Sequence, residues 1–134
     1  MPGQECRATI MSNLQSALGK YGIELPAEQT EQLERFCRLL WQWNEKLNLT
    51  RHTTFDLFVT RDLVDAQQLA TLLERGERVL DVGSGGGVPG LIIAILRPDV
   101  HMELCECIGK KARVLEDLVQ QLALEVPVHG QREP

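Results

Sequence analysis

The sequence has no excess of basic residues. Its 134 residues include 14 Lys and Arg against 19 Asp and Glu, which gives a net charge of −5 and a pI near 5.2. This balance excludes a domain-wide positive field of the kind that attracts nucleic acid. Any RNA contact therefore has to come from a local patch.

The sequence also lacks a membrane-length apolar run, a signal peptide and metal-ligand cysteine spacing. Its cysteines are Cys6, Cys37, Cys105 and Cys107. We therefore expect reduced thiols, a cytoplasmic location, no metal site and no membrane partner. An apolar content of 43% is enough for one domain with a buried core.

What the sequence does have is a glycine-rich stretch between two apolar segments, at residues 78–90. Val79, Leu80 and Val82 before the glycines predict a buried parallel strand, and Leu91 to Leu96 after them predict a helix. The glycines let the backbone approach a ligand, and the start of the helix favours a polar ligand group. The stretch predicts a nucleotide-cofactor loop. No Lys-Ser or Lys-Thr follows, which excludes a Walker loop.

Two glycine registers within this stretch imply different cofactors. Gly85-x-Gly87-x-x-Gly90 fits a dinucleotide fingerprint but begins three residues after the strand, whereas that fingerprint should follow the strand directly. Asp81-x-Gly83-x-Gly85-x-Gly87 begins on the strand itself. Its carboxylate would repel a pyrophosphate and attract the ammonium and sulfonium of S-adenosylmethionine. The second register therefore favours S-adenosylmethionine, with Asp81, Gly83, Gly85 and Gly87 as its binding residues.

Helical periodicity dominates the sequence before the glycines. One helix is predicted from about Ala8 to Gly22, and a long one starts at Pro26 with an apolar stripe interrupted only by Asn44. Thr53 is the predicted N-cap of a short helix that follows. We assign residues 1–75 to an N-terminal helical region and residues 76–134 to a second unit.

The second unit is predicted to contain a strand, a helix, a strand, a helix and a strand, in that order. Val100 to Glu106 form the second predicted strand, and Val126-Pro127-Val128 begin a third at the outer edge of the sheet. This is the first half of a doubly wound α/β fold, and right-handed crossovers order the strands three, two, one. Strand one would then be an unpaired edge, which predicts an incomplete domain.

Glu106 lies at the end of the second predicted strand, about twenty residues after the glycines, where an acid reaches the ribose hydroxyls of a nucleotide. We therefore predict Glu106 as a ribose ligand. Cys105 and Cys107, placed on opposite faces of that strand, are predicted packing residues. His52 lies in a polar segment and is predicted to be solvated. The candidates for phosphate contacts are Lys46, Arg51, Arg61, Lys110 and Lys111.

Several short segments occur in an order typical of one known family. They are Trp43-Asn44, Asn48-Leu49-Thr50, Arg61 with Asp65, the glycine stretch ending in Val88-Pro89-Gly90, Arg97-Pro98 and Gly109-Lys110-Lys111. From about Leu14 to Glu133 the sequence resembles the small-subunit (16S) ribosomal RNA guanine-N7 methyltransferase G family, also called glucose-inhibited division protein B. The resemblance implies a Rossmann-like class I S-adenosylmethionine-dependent methyltransferase fold, truncated here after the third strand.

The resemblance also implies a function and a set of contacts. The family uses S-adenosylmethionine and methylates N7 of a guanine in small-subunit ribosomal RNA. Its cofactor contacts carry over to Gly83, Val88, Glu106, Arg132 and Glu133. The family continues into further strands that carry an arginine important for methyl transfer, so the catalytic residues are expected beyond residue 134.

Two positions depart from the family pattern before the glycines and one after them. The family usually has a histidine where Asp62 stands and a serine where Ala66 stands, and its arginine after the third strand aligns with Gln131. Two other functions stay open: a nicotinamide-dinucleotide-binding oxidoreductase fragment, and a non-catalytic half-domain remnant. Asp81 argues against the first of these alternatives.

Overall fold

The computed structural model describes residues 13–130 and has an α/β architecture in which helices precede a parallel sheet. The N-terminal helices are α1 (Leu14–Lys20), α2 (Ala27–Asn44), α3 (Phe55–Leu57), a π-helical segment (Phe58–Leu63) and α4 (Val64–Thr71). The remaining elements are β1 (Arg78–Val82), α5 (Gly90–Leu96), β2 (His101–Glu106), α6 (Gly109–Gln121) and β3 (Val128–Gly130). The predicted fold class is confirmed.

The helix starts differ slightly from the predicted ones. Pro26 immediately precedes α2 instead of being its first residue. Thr54, not Thr53, caps α3, because its Oγ1 accepts a hydrogen bond from the N–H of Leu57 at 3.1 Å. The predicted start of the first helix near Ala8 lies outside the described residues.

The three strands form a parallel sheet in the order β1-β2-β3. Val79 and Asp81 of β1 stand opposite Met102 and Leu104 of β2, and Leu104 stands opposite Val128 of β3. The predicted strand order is confirmed, and β1 and β3 are the two edges. The prediction that Cys105 and Cys107 lie on opposite faces of β2 is wrong, because residues two apart in a strand share a face and because β2 ends at Glu106, before Cys107. Cys107 is exposed, so its predicted packing role is also wrong.

One hydrophobic core lies between the sheet and the helices that cover it. Helix α2 packs on α5 and on α6, and α5 and α6 pack on β2. The core includes Leu33, Phe36 and Leu40 of α2, Leu91 and Ile92 of α5, Met102 and Leu104 of β2, and Leu115 and Leu118 of α6. This core runs across the predicted boundary between residues 75 and 76.

Strand β1 is less buried than its sequence predicts. Leu80 is 56% exposed and Val82 is 71% exposed, so the expectation of a strand buried on both faces is wrong. Both side chains point away from the core, because the register places them opposite Glu103 and Cys105 instead of Met102 and Leu104. Within residues 13–130, β1 hydrogen-bonds to β2 alone, as predicted for an edge strand.

Arg97 ties the N-terminal helices to the sheet. Its Nη1 donates to the carbonyl oxygens of Ala70 (2.7 Å) and Leu73 (3.1 Å), which end α4. Its Nε and Nη2 donate to the two carboxylate oxygens of Asp99 at 2.9 Å each, and the N–H of Gly76 donates to Asp99 Oδ2 at 3.1 Å. The hydrogen bond from Arg97 is the main reason why the pKa of Asp99 lies well below its ordinary value. No helix within residues 13–130 has the length and apolarity to cross a membrane.

Candidate functional site

The candidate site is a cleft between two short segments from different parts of the chain. One is the glycine loop, residues 83–88, which follows β1; the other is residues 48–52, which follows α2, and we call it the 48–52 segment. The cleft has a volume of about 680 Å³. Its lining residues are Asn48, Leu49, Thr50, Arg51, His52, Asp62, Gly83, Ser84, Gly85, Gly86 and Val88.

The start of the glycine loop requires glycine for its backbone conformation and is open on the cleft side. Gly83 and Gly85 have φ of +76° and +55°, which favour glycine. The N–H groups of Gly83 and Ser84 donate to the carbonyl oxygen of Cys105 at 2.8 and 3.2 Å, which fixes the loop to β2. A Cβ on Gly83 would meet no atom within 4 Å. A ligand can therefore approach the backbone closely here.

The last glycines of the stretch are packed against the protein itself. A Cβ on Gly87 would lie 2.7 Å from Leu91 Cδ1. A Cβ on Gly90 would lie 2.5 Å from both Asp81 Oδ2 and Leu104 Cδ2. Neither glycine lines the cleft. Gly90 thus allows close packing of α5 against β1 and β2, and Gly87 allows Leu91 of α5 to pack against the glycine loop.

Asp81 holds the end of the glycine stretch by a hydrogen bond to the backbone. Its Oδ2 accepts the N–H of Gly90 at 3.0 Å, so the start of α5 is occupied by the protein's own carboxylate. Burial raises the pKa of Asp81, and the N–H of Gly90 opposes that rise. Asp81 does not line the cleft. Its predicted contact with the cofactor remains a prediction.

Glu106 also holds the glycine loop in place. It is only 4% exposed, its Oε1 accepts the N–H of Gly85 at 2.7 Å, and its Oε2 accepts the N–H of Ile108 at 3.0 Å. Each carboxylate oxygen therefore already has one protein donor. A carboxylate has further lone pairs, so the predicted ribose contact stays a prediction.

The 48–52 segment is fixed by side chains of α2. Asn44 Oδ1 accepts the N–H groups of Leu49 (2.7 Å) and Thr50 (2.9 Å), and Trp41 Nε1 donates to the carbonyl oxygen of His52 at 3.1 Å. A Cβ on Gly86 would come within 3.4 Å of Leu49, so the segment and the glycine loop are in close contact. Asn44, which interrupts the apolar stripe of α2, thus organises one wall of the cleft.

His52 and Asp62 form a pair on that wall. His52 Nδ1 lies 2.9 Å from Asp62 Oδ1, so the prediction that His52 is simply solvated is wrong. Asp62 is only 9% exposed; burial raises its pKa, and the hydrogen bond with His52 opposes the rise. Sequence reasoning missed this pair. The one signal was that Asp62 departs from the family pattern.

Of the five predicted phosphate contacts, only Arg51 lines the cleft. Lys46 lies 5.8 Å from the ring centroid of Trp43, and Arg61 is exposed on the π-helical segment. Lys110 is exposed and Lys111 half-buried in the first turn of α6.

Arg132 and Glu133 lie outside the described residues. Within residues 13–130, no group of three or more His, Cys, Asp or Glu side chains is arranged to hold a metal ion.

Comparison with known proteins supports the architecture. The chain is similar to the crystal structure of a mutant of MtNAS, with a TM-score of 0.51 and 16% identity over 91% of this chain and 51% of that one. At this identity the likeness shows the fold alone.

The chain is more closely similar to two curated proteins, both named ribosomal RNA small subunit methyltransferase G. The protein from Rhodopirellula baltica is 51% identical over 92% of this chain and 53% of its own length. The protein from Chromohalobacter salexigens is 40% identical over 85% of this chain and 54% of its own length. The chain thus spans about half the length of the curated relatives it matches.

A family model covers most of the chain, including both segments that form the cleft. The model, described as rRNA small subunit methyltransferase G, matches residues 29–133. The chain therefore belongs to the rRNA small subunit methyltransferase G family.

Proposed function

We propose that this chain forms the cofactor-binding part of an S-adenosylmethionine-dependent methyltransferase that acts on N7 of a guanine in small-subunit ribosomal RNA. The observation that carries the proposal is that the glycine loop, in a chain of this family, opens into a cleft wide enough for a nucleoside. Gly83, Gly85 and Val88 would contact the cofactor, and Asp81, Gly87 and Glu106 would hold the glycine loop in its conformation. Glu106 would also accept a hydrogen bond from the ribose. We also propose Arg132 and Glu133 as contacts.

The geometry favours this cofactor over a nicotinamide dinucleotide. In the dinucleotide register, the second glycine, Gly87, would have to let a pyrophosphate approach its backbone, whereas the third, Gly90, would allow close packing of helix on strand. Gly87 is instead packed against Leu91, while the packing of Gly90 against Asp81 and Leu104 fits either register. The open glycine is Gly83, which belongs to the other register.

The proposed methyl transfer requires only that the protein binds the two reactants and orients them. When bound, the cofactor would supply a methyl carbon attached to a positively charged sulfur. The N7 lone pair of guanine is free near neutral pH, so it would attack that methyl carbon directly, with the C–S bonding pair returning to sulfur. No general base is needed. Alignment of the two reactants is then the main contribution to the rate.

The proposed RNA partner would meet the chain at local basic groups. Arg51 lies at the cleft, where a phosphate next to the target guanine would be within reach. Lys46, Arg61, Lys110 and Lys111 are proposed to contact phosphates farther away. The proposal includes a cytoplasmic location.

Calorimetric titration with S-adenosylhomocysteine and with NAD tests the cofactor assignment. We expect S-adenosylhomocysteine to bind more tightly, and tighter binding of NAD would refute the proposal. Gly83→Ala should weaken this binding, because the substitution strains the loop and fills its open side. Gly22→Ala is the matched control: Gly22 also has positive φ (+69°) and open space around it, but it lies between α1 and α2. Equal loss of affinity in both variants would show that backbone strain alone explains the effect.

A further inference from the structure

The two walls of the cleft differ in charge. The glycine loop contributes only Gly83, Ser84, Gly85, Gly86 and Val88, none of which is ionisable. All ionisable lining residues are on the other wall: Arg51 and His52 in the 48–52 segment, and Asp62 in the π-helical segment. A ligand held against the glycine loop would therefore meet charges of both signs on one side only.

Asp62 has an unused acceptor on this wall. The residue is nine-tenths buried, and its Oδ1 is paired with His52. Its Oδ2 accepts no hydrogen bond from any of residues 13–130, and every fully enclosed side-chain polar atom among them has a partner. Oδ2 is therefore accessible from the cleft, which Asp62 lines. A carboxylate oxygen with free lone pairs on a cleft wall can accept a hydrogen bond from a ligand donor.

The cation of the wall, Arg51, is also available. His52 Nδ1 lies against Asp62 Oδ1, so His52 helps to orient the Asp62 carboxylate. Arg51 is exposed and forms no ion pair within residues 13–130. The 48–52 segment is held by Asn44 and Trp41, so these side chains are presented from a fixed backbone. One open carboxylate oxygen beside an unpaired guanidinium is complementary to a zwitterion.

We propose that this wall binds the amino-acid end of the cofactor, with Asp62 accepting from its ammonium group and Arg51 donating to its carboxylate. The inference rests on the proposed function, because it takes the rest of the cofactor to lie on the glycine loop. It also assigns the recognition of the cofactor's positively charged ammonium group to Asp62 instead of Asp81. Asp81 Oδ2 is already bonded to Gly90, and Asp81 does not line the cleft.

Two ligands that differ only at this end provide the test. S-adenosylhomocysteine carries the amino acid, whereas methylthioadenosine has the same nucleoside and sulfur without it. Titration of the full chain should give tighter binding of S-adenosylhomocysteine. Asp62→Asn keeps the shape of the side chain and its contact with His52 but removes the charge. We expect it to weaken S-adenosylhomocysteine by about 10- to 100-fold and methylthioadenosine by less than about twofold.

Matched variants separate a local effect from a general one. Asp65→Asn makes the same charge change at an exposed position outside the cleft and should leave both affinities unchanged. Arg51→Gln should reproduce the selective loss, and Arg113→Gln, on the exposed side of α6, should not. Thermal unfolding of each variant checks that the fold is retained.

The outcomes distinguish the inference from the proposed function. If the parent binds neither ligand, the proposed function fails. If the parent binds both but Asp62→Asn binds S-adenosylhomocysteine like the parent, the inference is wrong and the proposed function stands. A guanine edge could also pair with a carboxylate. If Asp62→Asn lost affinity for guanosine monophosphate but not for S-adenosylhomocysteine, the wall would bind the target base, and the inference would be overturned.

Discussion

Glu106 offers the sharpest test of how the glycine loop is held. Its two oxygens accept the N–H groups of Gly85 and Ile108, and the side chain is almost fully buried. Glu106→Ala removes both acceptors and leaves two donors without partners. At about 1 to 3 kcal/mol for each unpaired group, with some recovery by water, we expect a loss of about 2 to 4 kcal/mol in the free energy of unfolding.

Glu106→Gln is the more informative variant. Whichever way the amide is turned, its NH₂ group faces either the N–H of Gly85 or the N–H of Ile108, so one hydrogen bond becomes a contact between two donors. We expect a loss of about 1 to 3 kcal/mol. If Glu106 contacted ribose alone, Gln would retain an acceptor and have little effect on stability.

Urea unfolding measures this difference, with Glu116→Gln as the control because Glu116 is exposed on α6. Hydrogen exchange at the amide of Gly85 should be faster in both Glu106 variants. If Glu106→Gln unfolds at the same urea concentration as Glu116→Gln and exchange at Gly85 is unchanged, the reasoning is wrong. The ribose prediction is tested separately: the parent should prefer S-adenosylhomocysteine to its 2′-deoxy analogue, and the variant should not.

Three further predictions follow from the packing around the cleft. Asn44→Ala should lower the free energy of unfolding by about 2 kcal/mol, because the N–H groups of Leu49 and Thr50 lose their acceptor; Asn48→Ala, at an exposed position, should have little effect on the urea midpoint. Gly90→Ala should cost about 1 to 3 kcal/mol in the same assay, since its Cβ would collide with Asp81 and Leu104, whereas Gly109→Ala has open space and should be tolerated. The lowered pKa of Asp99 stabilises the fold at pH values above its ordinary value of 3.8, and this contribution is lost as the pH falls below that value. Asp99→Asn should therefore be less stable than the parent at pH 7, and a gap in melting temperature that does not narrow at pH 3 would contradict this account.

The sequence predicted the elements that depend on local pattern. The apolar stripe of α2, the strand-glycine-helix succession and the β1-β2-β3 order all follow from periodicity and from the handedness of crossovers. The starts of α2 and α3 were off by one residue, because a cap depends on local hydrogen bonds that a pattern does not resolve. The exposure of Leu80 and Val82 was missed because periodicity cannot show which faces of a sheet are covered.

The site was predictable where position along the chain indicates a role. Gly83 and Gly85 were identified from the glycine register that begins on the strand, and both have the positive φ that favours glycine. The contacts of His52 with Asp62 and of Glu106 with Gly85 join residues that are 10 and 21 positions apart. Such contacts depend on how separate elements pack. Sequence reasoning found Glu106 from its position but assigned it to the ligand alone, and it did not single out Asn44 as an organiser of the cleft.

The shared core has a consequence for how the chain unfolds and how it tolerates change. Leu40 of α2 lies within 3.2 Å of the Cβ position of Gly86, and Arg97 bonds to the end of α4. We therefore expect the helical region and the strands to unfold together, although their architectures differ on either side of residue 75. We expect a substitution in the buried face of α2 to shift residues that line the cleft. Ligand affinity and the free energy of unfolding should then change together.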